Sequence, residues 1–294
     1  MREIVLPAKE TPKKVENVLK RQFPIGYVRK LFRKNGVRIN GKRAKETDVV
    51  RAGDRIELYV PFEATRKPPT PGTSGPRIET IFEDERLMII NKPAGLAVHE
   101  GRTVSKRESI LGILETRFHA AAIVPRLVHR LDKDTSGLLM IAKKQQTADE
   151  LESIFASGEV GKEYLCLVVG RLPLNEGKID FPLPGREGNP VRALTRFRVQ
   201  KRFSETTLAR VQIETGRLHQ IRLHFAELGY PIVMDDQHGD FSFNKRFRKQ
   251  YGLKRQFLHA EKLKITYGGK QREWSAPLTS DLQQTLSRLA DFQS

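Results

Sequence analysis

The sequence predicts an α+β chain of two unequal domains: a small helix-pair and hairpin module over residues 1–60, and a larger domain of mixed strands and helices over 77–294. Residues 61–76 hold five prolines and two glycines in sixteen positions, a composition that continues neither a helix nor a strand ladder and reads as a linker. The charge divides unevenly across it. Of a net +18 in 294 residues, sixteen Lys and Arg against seven Asp and Glu place +9 in the first sixty. On both sides, helical and strand periodicities alternate along the chain.

In the small domain, Thr11-Pro12 offers a capping hydroxyl and a first-turn proline, and Val15, Val18, Leu19 and Phe23 then share one face of a first helix. Tyr27 to Asn35 repeats the pattern, with Val28, Leu31 and Phe32 inward and Arg29, Lys30, Arg33 and Lys34 outward, closed by Gly36 as a left-handed cap. Val37-Arg38-Ile39 leads into Asn40-Gly41 and Lys42, the strongest short hairpin signal. A further strand opens at Gly53-Asp54 and alternates through Ile56, Leu58 and Val60.

The charge excess points to a polyanionic partner, nucleic acid first. Hydrophobic residues at 38% and charged residues at 30% describe a folded chain with an ionised surface. A single cysteine, Cys166, excludes an internal disulfide framework and cysteine-pair zinc sites, and suits a reducing cytoplasm. No apolar run approaches the roughly 18 residues of a membrane span, and Arg2, Glu3, Lys9 and Glu10 interrupt the start, so neither a span nor an export signal is expected. His219 and His224 fall about 140° apart on a helix and share no ligand face. No metal or cofactor motif is found.

In the larger domain, Leu87 to Ile90 and Gly137 to Ala142 read as buried strands. Thr147 and Glu150 form a T-x-x-E capping box ahead of Leu151, Ile154 and Phe155. Glu163 to Val169 is apolar on both faces, as a central strand is, with Tyr164, Cys166 and Val168 on one. Ahead of the second strand lies His129-Arg130-Leu131-Asp132-Lys133-Asp134-Thr135-Ser136-Gly137. A polar loop set against a rigid sheet is where sites are built, although a simple turn with a capping aspartate has the same composition.

Thr215 to Tyr230 adds a sharper signal. On a helical wheel Leu218, Ile221, Phe225 and Leu228 form an apolar arc, and Arg222 falls inside it. A guanidinium aimed into a core either snorkels outward or meets a carboxylate. Asp132 is the candidate partner, and the pairing would keep that carboxylate ionised, the state a nucleophile requires.

His129-Arg130-Leu131-Asp132 with Thr135-Ser136-Gly137-Leu138-Leu139, then Lys162-Glu163-Tyr164, Thr215-Gly216-Arg217 and His219-Gln220-Ile221-Arg222, resembles the RluA-type family of RNA pseudouridine synthases. Asn91-Lys92-Pro93-Ala94-Gly95 is similar to that family's opening motif. Residues 10–60 resemble the S4 RNA-binding domain, on whose pattern Arg29, Lys30, Arg33, Lys34, Arg38 and Lys42 would face RNA. The resemblance implies a mixed, largely antiparallel catalytic sheet that converts uridine to pseudouridine without metal or cofactor, after flipping the base from its stack. It implies Asp132 as the catalytic carboxylate, Tyr164 as the stacking aromatic and Arg222 as the ion-pair partner of Asp132. His129, Arg130, Arg217, His219 and Gln220 would bind the substrate.

On residues alone, Tyr164 reads equally as core. Two departures stand out. Leu218 replaces a small polar residue and Met234-Asp235 a more usual Gly-Asp, both expected to bear on packing or substrate choice. The substrate class implied is large-subunit ribosomal RNA, with transfer RNA the alternative, acted on by a monomer. The rival reading is a ribosome-assembly factor whose synthase-like domain only docks RNA. Phe241 to Leu258, rich in cations and aromatics, is either a second RNA surface or a segment anchored by its rings.

Overall fold

The structure is a computed structural model that describes residues 2–6, 11–20, 23, 28, 31–32, 35–59, 78–101, 104–185 and 188–291. The cationic positions Arg29, Lys30, Arg33 and Lys34 and the linker 61–76 lie outside the described residues. Contacts divide the chain into two compact units, one within residues 1–74 and one within 75–294.

In the first unit, β1 (Arg2–Val5), β2 (Lys13–Lys14), α1 (Val15–Lys20), β3 (Val37–Ile39), β4 (Lys42–Arg43), β5 (Val49–Val50) and β6 (Arg55–Leu58) follow in order. They form a sheet in the order β1-β6-β3-β4, with β2 paired to β5. The Asn40-Gly41 hairpin is as expected, with both residues at positive φ (49° and 80°). Two details differ from the sequence reading. The helix begins at Val15 instead of behind Thr11-Pro12, because the Lys13 and Lys14 backbone is spent on pairing with Val50 and Val49. The left-handed residue after Phe32 is Asn35 (φ 57°), with the Gly36 amide donating back to the Leu31 carbonyl. Val15, Val18, Leu19, Val28, Leu31, Ile56 and Leu58 close one small core.

The second unit is organised by a ten-stranded sheet. Its strands are β7 (Glu79–Glu83), β8 (Leu87–Lys92), β9 (Arg126–Leu127), β10 (Ser136–Ala142), β11 (Gly161–Val169), β12 (Glu176–Ile179), β15 (Thr195–Arg202), β16 (Thr206–Ile213), β17 (Leu258–Tyr267) and β18 (Lys270–Ser275); β13 (Leu183–Pro184) and β14 (Pro190–Val191) pair apart. The main path is β12-β15-β16-β11-β17-β10-β8-β7, antiparallel throughout except for the parallel pair β10 and β17. The helices are α2 (Ile110–Phe118), α3 (Gln145–Ser157), α4 (Gln220–Glu227), α5 (Phe241–Tyr251) and α6 (Ser280–Asp291). On one face, alternate residues Leu139, Ile141, Tyr164, Cys166 and Val168 pack with Ile110 and Leu114 of α2 and Ile221 and Phe225 of α4. On the other, Leu138 and Met140 meet Ala148 and Leu151 of α3.

The expected capping box of α3 is not formed. The helix starts at Gln145 behind Lys144, and Thr147 and Glu150 sit inside it, where both face Arg86 (Nε to Thr147 Oγ1 3.5 Å, Nη2 to Glu150 Oε2 2.6 Å). In the segment 241–258, Phe243, Phe247 and Phe257 are buried and Tyr251 half-buried against α6, so these rings anchor the segment; Phe241 stays 64% exposed.

The parallel junction places the loop that precedes β10. Gly137, at φ +113°, faces Ala260 of β17 so closely that a Cβ would collide with the Ala260 backbone. Only glycine satisfies both the conformation and the contact. Gly137→Ala should therefore cost about 3 kcal/mol or more of stability, read as a lowered urea midpoint; a midpoint equal to wild type would show that the junction can yield.

Candidate active site

Asp132 lies in the loop between β9 and β10, and that loop is fixed at several points. The Thr135 amide donates to the Asp132 carbonyl (3.2 Å), and Thr135 Oγ1 accepts from Gln256 Nε2 (2.7 Å). His129 Nε2 accepts from the Met140 amide (2.9 Å). Lys92, at the end of β8, is fully buried and donates its ammonium to the carbonyls of Pro93, Leu96 and Lys133 at 2.9–3.0 Å. Burial pushes its pKa down to about 7, and the three carbonyls satisfy every donor. Arg255, from the segment 241–258 left open between an RNA surface and an anchored loop, pairs with Asp281 and reaches the carbonyls of Asp134, Gln256 and Leu258.

Tyr164 comes from β11 at a bulge. Glu163 pairs with Lys262 and Tyr164 with Ala260, so Glu261 of β17 is skipped, and Tyr164 lines the same pocket as Asp132. Burial pushes its phenol pKa up, and the Asp132 charge adds to the shift, so the hydroxyl keeps its proton at neutral pH. Arg222 rises from α4, 3% exposed, and donates from Nη1 to Asp132 Oδ2 (3.1 Å). The expected pairing is present, but Asp132 is the lesser partner. Asp235 takes the guanidinium side-on, Nε to Oδ2 at 2.6 Å and Nη2 to Oδ1 at 2.8 Å. Burial opposes the Arg222 charge, and Asp235 first and Asp132 second outweigh it, raising its pKa.

Asp235 is itself fully buried. Its Oδ1 also accepts from the amides of Gln237 and His238 (both 2.9 Å). These bonds, led by Arg222, overcome burial and hold its pKa below the usual carboxylate value. Asn244 of α5 clamps the same turn, accepting from the Met234 amide and donating to the Asp235 carbonyl. The Met234 departure thus adjoins the residue that pins Arg222 and sits at φ 63°, where glycine is the unstrained choice. The sequence reading names Asp235 only within the Met234-Asp235 departure, as bearing on packing or substrate choice. The signal that could have found it is stoichiometric: a guanidinium buried in an apolar arc has five donors, more than one end-on carboxylate can satisfy.

One pocket is lined by Arg130, Leu131, Asp132, Tyr164, Arg217, Leu218, His219, Gln220 and Arg222, with Ile213 and Leu258 as its apolar walls. Of the expected residues, His129 alone lies outside it, in an adjoining chamber, stacked on Phe155 at 4.7 Å. Gln220 lines the pocket with its polar atoms already engaged. Its Oε1 accepts from Thr215 Oγ1 and the Arg217 amide, and its Nε2 donates to Leu194 O and Thr195 Oγ1. Its part is to brace the 215–217 turn. Leu218, placed in the apolar arc of a helix by the sequence reading, precedes α4 and is 57% exposed at the pocket. His219, at φ 52°, lies with Nε2 3.8 Å from Asp132 Oδ1 and Nδ1 3.1 Å from His238 Nε2.

Arg222 claims one oxygen of Asp132 and leaves Oδ1 facing the pocket, above a sheet that supplies an aromatic ring. Such a constellation suits chemistry on a flat ring by a single positioned carboxylate. Residues 86–227 match the family model described as RNA pseudouridylate synthase. The chain is 33% identical to "Ribosomal large subunit pseudouridine synthase C" of Vibrio cholerae, over 94% of this chain and 93% of that one, and 32% identical to the Escherichia coli protein of the same name, over 97% and 96%. Among solved structures, human RNA pseudouridylate synthase domain containing 4 superposes with a TM-score of 0.62 at 25% identity, covering 72% of this chain and 93% of that one. The chain belongs to the RNA pseudouridylate synthase family and is an RNA pseudouridine synthase. The expected α+β fold with its mixed, largely antiparallel sheet is the one observed.

Asp235→Asn should cost about 3–5 kcal/mol at pH 7, because Arg222 is left buried with only Asp132 end-on and the exposed Asp236 at 3.5 Å as charged partners. The pH dependence has a defined sign. A carboxylate whose folded pKa is depressed contributes stability above its ordinary value of 3.8, and that contribution is lost as pH falls through the lower folded value. Urea titrations from pH 6 downward should show wild-type stability dropping below about pH 4, and a shallower drop in the variant. Parallel curves would remove Asp235 from this role.

Proposed function

We propose that this synthase isomerises specific uridines of large-subunit ribosomal RNA, with Asp132 as the catalytic carboxylate. The observation that carries the reading is Asp132 itself, held at one oxygen by a tethered cation and free at the other, in a pocket walled by Tyr164. The relatives' names support the substrate class. The reaction breaks the C1′–N1 bond of uridine, turns the uracil and joins C1′ to C5; C5 loses a proton and N1 gains one. Asp132 serves by adding to C6, by attacking C1′ or by taking a ribose proton, and each route uses the free Oδ1. Tyr164 stacks on the flipped uracil, offsetting the few kcal/mol of unstacking. Arg222 holds Asp132 in place, while the exposed Arg130 and Arg217 meet the RNA backbone at the rim. His219 faces the free oxygen.

In this reading the enzyme works in the cytoplasm as a monomer, without metal or cofactor, and its first unit is an RNA-binding module of the S4 type. Support for the module comes from the hairpin, where Arg38, Lys42 and Arg43 are exposed over a compact core.

The test is tritium release from 5-³H-uridine-labelled unmodified ribosomal and transfer RNA at matched occupancy. Wild type should release tritium from the large-subunit RNA, and Asp132→Asn should fall by about 10³-fold or more while still binding RNA. Release by the variant at a wild-type rate would move the chemistry to another group, and release from transfer RNA alone would change the substrate.

A further inference from the structure

The chamber beside the active-site pocket contains a charge that the reaction does not use. Lys162 lies on β11 in phase with Tyr164 and is 8% exposed. Among the described residues no carboxylate or hydrogen-bond acceptor meets its ammonium. Its neighbours are the Phe155 ring, 5.8 Å from Nζ to the centroid, and Gly216, where a Cβ would stand 3.8 Å away. Other deeply placed cations are matched: Lys92 by three carbonyls, Arg222 by Asp235 and Asp132, Arg255 by Asp281.

The chamber is the larger of the two cavities and shares a wall with the active-site pocket, formed by Arg130, Tyr164, Ile213, Gly216 and Arg217. Its carboxylate, Glu214, is engaged by Arg196 (3.0 Å). Its histidine, His129, is neutral, since burial and then the Lys162 charge push its pKa down to about 3. The chamber is thus cationic, with its central ammonium lacking a partner and its rim open to the strand that enters next door. The stem of Lys162 is covered while its ammonium opens into the chamber, where no protein group among the described residues competes for it. An incoming anion would therefore meet a ready donor, and the anion that RNA carries at every nucleotide is the phosphodiester.

We propose that this chamber is a second RNA subsite, in which Lys162 binds a phosphodiester adjacent to the target nucleotide and Phe155 and His129 form its apolar wall. The inference rests on the reading of the Asp132 pocket as the uridine site, because the shared wall then sets the neighbouring phosphate over Lys162. Lys162 is a substrate-binding residue here and takes no part in bond making.

Phosphate-ethylation interference tests it on the full-length protein and unmodified ribosomal RNA, with pseudouridine formation as the readout. In wild type, ethylation of one phosphate next to the target should block modification. In Lys162→Met that position alone should lose its effect, with KM raised about tenfold, kcat within about twofold and the salt dependence of binding shallower by about one phosphate. The melting temperature should be unchanged, since no protein group among the described residues pairs with the Lys162 ammonium. Lys162→Gln should behave alike. A wild-type interference map and KM in both variants would overturn the proposal, as would a lower melting temperature with the map unchanged. Loss of the Lys162 dependence on removing the adjacent base, with its phosphate intact, would assign the chamber to a base instead. Absence of pseudouridine in any RNA with wild type would sink the underlying reading, a separate outcome.

Discussion

The site depends on one buried cation. Arg222 cannot lose its proton, and burying it unpaired would cost several kcal/mol, so the fold must bring carboxylates to it. Asp235 satisfies the fork side-on and is itself saturated by two backbone amides. What remains of the guanidinium, Nη1, is directed at Asp132. The division is asymmetric in a useful way. One carboxylate is consumed in fixing the arginine, and the other is only steered by it, which leaves an oxygen for chemistry.

That arrangement reaches far along the chain. Asp132 precedes β10, Arg222 is on α4, Asp235 follows in a turn, and Asn244 of α5 clamps the turn from behind. Gly239 lets α5 approach: a Cβ there would strike the Asp235 carbonyl and stand 2.8 Å from Asn244 Nδ2. Met234 holds a left-handed backbone beside it, a strain of about 1–2 kcal/mol that the surrounding bonds sustain. The basic segment 241–258 is therefore partly a scaffold. Phe243, Phe247 and Phe257 pack inward, Asn244 and Arg255 serve the site's framework, and the remaining cations on α5 face solvent.

Much of this was legible in the sequence, for physical reasons. Apolar residues on both faces of Glu163 to Val169 revealed a central strand because both faces of that strand are buried, and Arg222 stood out because a cation breaks an apolar arc. Asp235 was not legible, since an acid after an apolar run looks like any turn residue until a second carboxylate is required. Leu218 misled because helical phase was extended two residues beyond a helix that starts at Gln220. The capping box at Thr147 misled for the opposite reason: its residues are spent on Arg86, a contact 61 residues away in sequence that no local pattern contains. Lys162 carried a local signal, being in phase with Tyr164, but phase alone does not say whether a lysine finds a partner inside.

The electrostatics of the pocket also explain how an enzyme with a carboxylate at its centre can hold a polyanion. The exposed Arg130 and Arg217 are at the rim, whereas Arg222 lies beneath and is already neutralised by Asp235, so it would not draw a phosphate inward. Between these layers the groups are uncharged. The Tyr164 phenol is kept protonated, and burial, the leading influence on His219, lowers its pKa so that Oδ1 of Asp132 faces a neutral imidazole at neutral pH instead of a second cation. The exposed cations thus stand at the rim, above a slot in which Asp132 is flanked by neutral groups. No charge beside Asp132 has to rearrange when a flat ring enters that slot, which is the preorganisation a single fixed carboxylate needs to act.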